Sequence, residues 1–170
     1  MKTSELYGRG KDFIKPHYDR SCQPTTFAYL CILASNSNFL KDFFPLLETI
    51  MESPLVKEKK DAGLGVPQEK IIETAQWLIE KKELPISEVT VVEITQESLS
   101  NPPYNAPVNS LPLLSGGVQN FSGGHRITVI EKKGRNLLYY NSLTGDIHSI
   151  PLNILENHCI KECGLIKVIV

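Results

Sequence analysis

The segment Cys22-Gln-Pro-Thr-Thr-Phe-Ala-Tyr-Leu-Cys-Ile-Leu-Ala34 constrains the fold most, because it is apolar, lacks glycine and carries its only proline near the start. A proline in the first helical turn costs little, since the N–H groups there have no intrahelical partner. Ser21 is a suitable N-cap. Phe27, Leu30, Cys31 and Ala34 fall at helical spacing, which predicts a helix that begins at Cys22 and is buried along one face. Before it, residues 1–21 are polar, with Gly8, Gly10 and Pro16, and read as an extended lead-in.

Further helices follow. Phe39 to Ser53 is a second helical candidate, kinked or split at Pro45. Pro54 to Val66 is charged and contains glycine, and reads as a loop. The basic cluster Lys57 to Lys60 within it is broken by Glu58 and followed by Asp61, the pattern of a solvated segment and not of a phosphate site. A third helix opens at Pro67, with Ile71, Ile72, Ala75, Leu78 and Ile79 as its apolar stripe and Lys81-Lys82 at its negative end.

The period then changes to that of strands. Val89 to Thr95 is rich in β-branched residues. Gln96 to Gly124 holds Pro102-Pro103, Pro107, Pro112 and Gly116-Gly117 and reads as a long loop crossing a cleft. Arg126–Glu131 and Leu137–Asn141 form a strand pair around a Gly134 turn, Asp146–Ile150 a third strand, Pro151–Asn157 a short helix and Leu165–Val170 a last strand. The expectation is therefore an α+β fold in one domain over 1–170: a helical lobe at 22–84 and a mainly β lobe at 89–170. Its 170 residues suit one core.

Charge excludes some functions. With 18 basic and 19 acidic residues the net charge is -1, so no overall positive field draws the chain to nucleic acid or an anionic membrane. No apolar run approaches the roughly 20 residues of a bilayer-spanning helix, and Met1 to Arg20 holds no signal-peptide core. A cytoplasmic protein, or one exported without a cleavable signal, is expected; a monomer is assumed. Four cysteines, Cys22, Cys31, Cys159 and Cys163, are too few and too uneven for a disulfide framework.

Cys22 stands apart from the other thiols. At a helix start, unpaired N–H groups and the positive dipole end favour thiolate, so its pKa is expected to fall below an ordinary ~8.5. His125 follows Gly123-Gly124 and opens a strand, and Asn141 lies on the return strand. If those strands pair, the Asn141 amide oxygen can fix the imidazole tautomer. Cys22, His125 and Asn141 then make a nucleophile, a base and an orienter. Asp146 is the rival orienter.

On these residues the chain resembles the papain-like cysteine peptidase superfamily. Cys22-Gln-Pro-Thr-Thr at a helix start, Gly124-His125 opening a strand and Leu-Tyr-Tyr-Asn141 on the next are similar to its compact bacterial branches. Those are the leader-processing peptidase domains of bacteriocin exporters and the Cys-His-Asp/Asn deamidase and protease effectors. The resemblance spans roughly residues 15 to 145 and implies a cleft between the two lobes. It implies a cysteine hydrolase without cofactor or metal, a peptidase, glutamine deamidase or transglutaminase-type acyl transferase on a protein or peptide, such as an injected effector. The family commonly has Cys-Gly-Pro where Gln23 stands here, and places a Gln ahead of the nucleophile. Lys15 to Ser21 has none, so His17 or Tyr18, with the N–H groups of Cys22 and Gln23, are the candidate oxyanion donors.

Alternatives remain on the same residues. One is a non-catalytic peptide-binding module, motivated by the missing Gln. Another is a ubiquitin-like-protein protease with Cys163 as nucleophile, although Cys163 leads into a strand and not a helix. Cys159, Cys163, His148 and His158 suggest zinc, but the Cys-x-x-x-Cys spacing departs from common zinc knuckles.

Overall fold

The computed structural model describes residues 22–170, so the lead-in, the Ser21 cap and the donors His17 and Tyr18 lie outside the described residues. Six helices and six strands follow in the order α1 (Cys22–Ala34), α2 (Phe39–Met51), α3 (Pro54–Asp61), α4 (Gln68–Glu80), β1 (Glu88–Val92), α5 (Gln96–Leu99), β2 (Tyr104–Pro112), β3 (Val118–Lys133), β4 (Asn136–Asn141), β5 (Asp146–Pro151), α6 (Leu152–His158) and β6 (Leu165–Ile169). The strands form one sheet ordered β1-β6-β2-β3-β4-β5, antiparallel throughout. The expected order of helices first and sheet second is what the chain forms. No helix among the described residues is long and apolar enough to cross a membrane.

Helix α1 is buried on every side, not along one face: Gln23 through Ile32 are all buried. A helix apolar all round belongs inside a core. Helices α2 and α4 pack around it through Phe43, Leu47, Ile50, Ile71 and Leu78, while the sheet contributes Ile130, Tyr140 and Ile166. Tyr29 stacks at 4.5 Å on Tyr140 and meets Phe39 edge-on at 6.2 Å. Thr128 donates to the Thr26 carbonyl at 3.2 Å and to Asn105 Oδ1 at 2.7 Å, which ties α1 to β3 and β2. Alternate β3 residues Ile127 and Val129 face a second core with Leu99 of α5 and Leu155 of α6, so the sheet is covered on both faces.

One expectation is corrected and one is narrowed. The segment after Pro54 is helix α3, not a loop. Pro54 occupies its first turn and Val56 is wholly buried, while Lys57, Glu58 and Asp61 are exposed, so the charged run belongs to a helix docked on the core through Val56. Helix α2 is continuous through Pro45.

The larger correction concerns residues 96–124, which are not a cleft-crossing loop. They hold α5, closed by a Thr95–Ser98 capping box, then β2 and the start of β3, joined in a hairpin at Gly116-Gly117. Tyr104, Ala106 and Val108 alternate into the second core, a period-2 signal masked by the prolines. Pro107 is tolerated because β2 pairs with β6 only at Asn105↔Ile166, and Pro107 lies beyond that bridge.

Gly164, at φ +74°, turns the chain from Cys163 into β6 with a side chain's space closed off. A Cβ there would sit 2.7 Å from Val91 Cγ1 and 2.8 Å from the Val92 carbonyl. Gly164→Ala is therefore expected to be destabilising by more than the ~1–2 kcal/mol of left-handed strain alone. At ~2–4 °C per kcal/mol for a chain of this size, differential scanning fluorimetry will show a drop of at least about 3 °C.

Candidate active site

Helix α1 presents Cys22 at its first residue, and the sheet presents His125 and Asn141 on neighbouring strands. The strand pairing brings the last two together: His125 Nε2 lies 2.8 Å from Asn141 Oδ1, with both residues 5% exposed. Since an amide oxygen only accepts, the proton sits on Nε2 and Nδ1 is left for proton transfer. Asn141 Oδ1 also accepts from the Leu143 N–H at 3.1 Å, which holds the amide in this orientation. Asp146 stands opposite Asn141 in β5, one strand further out, so the carboxamide and not that carboxylate holds the ring. Phe121 covers the imidazole, ring centroids 4.6 Å apart.

Around the Cys22 thiol, the backbone N–H groups of Arg126, Gln23 and Cys22 itself and the Arg126 charge favour the thiolate form. The thiol is therefore within electrostatic reach of Arg126, the residue that follows His125. Gln23 is buried, and its side-chain Oε1 has no hydrogen-bond partner among the described residues. Cys31, as expected, is core: burial raises its pKa far above the ordinary range. Burial pushes Cys159 up to about 12, against the pull of Lys161 and with the push of Glu156. Cys163 lies in the turn before β6, not at a helix start. His158 Nδ1 is engaged with Ser110 Oγ at 2.6 Å and His148 stacks on Tyr139 at 5.5 Å. Among the described residues no group of three or more His, Cys, Asp or Glu is arranged to hold a metal.

The electrostatics correct the expectation for the nucleophile. Burial raises the Cys22 pKa above 9.0, outweighing the three N–H groups and the Arg126 charge that lower it. His125 moves the other way: burial lowers it below 6.5, partly offset by the Asn141 bond, and Arg126 lowers it further. Between those values both groups are neutral. The candidate centre thus holds a neutral thiol and a neutral imidazole at rest.

Arg126 was missed by sequence reasoning, which stopped at the histidine before it. Its guanidinium is partly buried and interacts with the thiols of both Cys163 and Cys22, and its Nη1 has no hydrogen-bond partner among the described residues. A cation there favours negative charge on Cys22 and disfavours positive charge on the His125 ring. The only available sequence signal was a basic residue directly after a candidate base.

No family model matches the chain, and no curated protein matches it.

Two outcomes test the electrostatics. Iodoacetamide alkylation of Cys22, followed by peptide mapping, rises as pH passes above 9.0 and shows no plateau near neutrality, as burial outweighs the groups that favour thiolate. In Arg126→Gln that rise moves to still higher pH, while the His125 titration read by NMR moves up, because one charge lowers both values.

Proposed function

We propose that the chain is a cysteine-dependent amide-bond enzyme of papain-like architecture acting on a protein or peptide. The observation that carries the reading is the 2.8 Å His125–Asn141 bond, with Cys22 at the start of a buried helix that is tied to the same strand as His125 by the Thr128–Thr26 bond. A helix start alone, or a histidine alone, supports little. A nucleophile, a base and an orienter meeting from three separate elements supports acyl chemistry.

The neutral resting pair sets the order of proton movement. As the Cys22 sulfur attacks an amide carbon, His125 takes the thiol proton through Nδ1, and Asn141 keeps the ring aligned by holding Nε2–H. The carbonyl oxygen becomes an oxyanion near the N–H groups of Cys22 and Gln23, close to the Arg126 charge. His125 then protonates the departing nitrogen, which leaves as ammonia from a carboxamide or as the amine end of a cut chain. Water, or an amine in acyl transfer, attacks the thioester and returns Cys22 to the thiol. The low resting thiolate population suits an enzyme whose substrate helps to exclude water before proton transfer.

The raised Cys22 pKa also supports a second reading, in which the same cleft holds a peptide without reacting. Intact-mass analysis of proteins and peptides incubated with the chain separates the two. Conversion of a carboxamide to an acid, a backbone cut or an amine adduct supports catalysis. Cys22→Ala should abolish it and His125→Ala should slow it by about 10²–10⁴-fold, with Cys163→Ser near wild type. Activity retained in Cys22→Ala and lost in Cys163→Ser would reassign the nucleophile. Binding without any product in the wild type would favour the peptide-holding module.

A further inference from the structure

We infer that the outer edge of β3 from Val118 to Gly124 is a strand-shaped docking site for an extended segment of polypeptide substrate, lying on the C-terminal side of the attacked residue. The inference rests on the amide-bond reading above and specifies what that centre receives.

Strand β3 is much longer than the strand beside it. Strand β4 pairs with it from Thr128 to Lys133, and no described strand covers the same edge of Val118 to Gly124. Such an edge carries a row of unpaired N–H and C=O groups, which another extended chain can satisfy. Sheet edges are ordinarily blunted by charge or proline. The outer strands here follow that rule: β5 carries Asp146, His148 and Pro151, and β1 carries Glu88. Val118-Gln-Asn-Phe-Ser-Gly-Gly124 has neither a charge nor a proline, and five of these residues are exposed throughout a run that ends at His125.

The edge also leads to the nucleophile. Strand β2 occupies the other edge of β3, with Pro107 opposite Arg126. Pro107 gives its carbonyl to the Ile160 N–H on the far side of β2, so the Arg126 N–H opposite it faces away from β2, toward the side of β4 and the Asn141–Leu143 turn. Gly123 and Gly124, at φ +77° and +84°, bend the run just before the histidine, and a Cβ at Gly123 would meet nothing within 4 Å, so a second backbone can approach closely. The hollows of 440 and 300 Å³ around Trp77 lie on the helical side and include none of these residues.

Direction and register follow from the geometry. Antiparallel pairing is the more stable per residue, and β3 runs toward the site, so the docked segment runs away from it with its N-terminal end at Cys22. At ~3.3 Å per residue the run spans at most roughly 20 Å, shortened by the bulge between Asn120 and His125. It ends at the exposed apolar tip formed by Leu113, Leu114 and Val118, which selects an apolar residue about six positions beyond the attacked one.

Covalent labelling tests this with a fixed probe. Chloroacetyl-Thr-Val-Thr-Val-Thr-Leu-amide carries its electrophile at the N-terminal end, so displacement of chloride by the Cys22 sulfur occurs only when the peptide extends along the proposed path. It is expected to label Cys22 at least about tenfold faster than chloroacetamide, the gain a few backbone hydrogen bonds supply. N-methylation at alternate residues should remove the gain, and Leu114→Ser should reduce it. Equal rates for peptide and chloroacetamide would overturn the inference, as would full retention of the gain after N-methylation at either set of alternate residues. A larger gain from the same sequence bearing a C-terminal chloromethyl ketone would overturn the assigned direction. A dimer in sedimentation that dissociates on Gln119→Lys would assign the edge to a second copy of the chain instead. The amide-bond reading fails separately, if chloroacetamide labels Cys22 no differently in wild type and His125→Ala.

Discussion

The burial of α1 against the sheet is the contact on which the rest of the molecule depends. One helix supplies both the centre of the helical core and, at its first residue, the candidate nucleophile. Phe27, Tyr29, Leu30 and Ile32 are each at most 1% exposed, and burying a side chain of this kind contributes roughly 1.5–3 kcal/mol. The register of the helix on β3 is set by polar contacts as well, because Thr128 reaches the Thr26 carbonyl. Thr128 and Arg126 are separated by one residue along β3. The bond that seats the helix thus also fixes where the start of α1 lies relative to Arg126, whose charge favours the Cys22 thiolate.

That burial has an electrostatic consequence. A helix start favours thiolate, yet desolvation of the same position opposes it and prevails at Cys22, while desolvation of His125 suppresses the imidazolium. A charged resting pair would need solvent, or more counter-charge than Arg126 provides. Under the proposed chemistry the neutral pair would keep the thiol unreactive until a substrate is bound, and the Nε2–Asn141 bond would spare the ring any rotation as the proton moves.

Much of the fold was legible in local pattern. The α1 span, the strand pairing around Gly134, the return from Asp146 and the last strand all follow from periodicity and turn residues that need no distant partner. The failures occurred where distant partners overrule composition. Lys57–Asp61 looks like loop because its charges dominate, and only the burial of Val56 against other helices makes it α3. Tyr104–Pro112 looks like loop because of its prolines, and only its place beside β6, bridged at Asn105 alone, lets Pro107 sit in a strand. The chemistry was legible to the same extent: residue types and chain order marked Cys22, His125 and Asn141, whereas Arg126 and Phe121 carried no signal of their own.

The sequence by itself determined the division into helices and antiparallel sheet, the near-neutral charge and the three side chains of the candidate centre, because these depend on residue identity and short-range spacing. The tertiary structure alone decided the direction of both pKa shifts, the charge that acts on the Cys22 thiol and the length of β3 that the described strands leave uncovered beyond β4. Those properties depend on how much water is excluded and on which backbone groups remain unpaired. Both are sums over residues far apart in the chain.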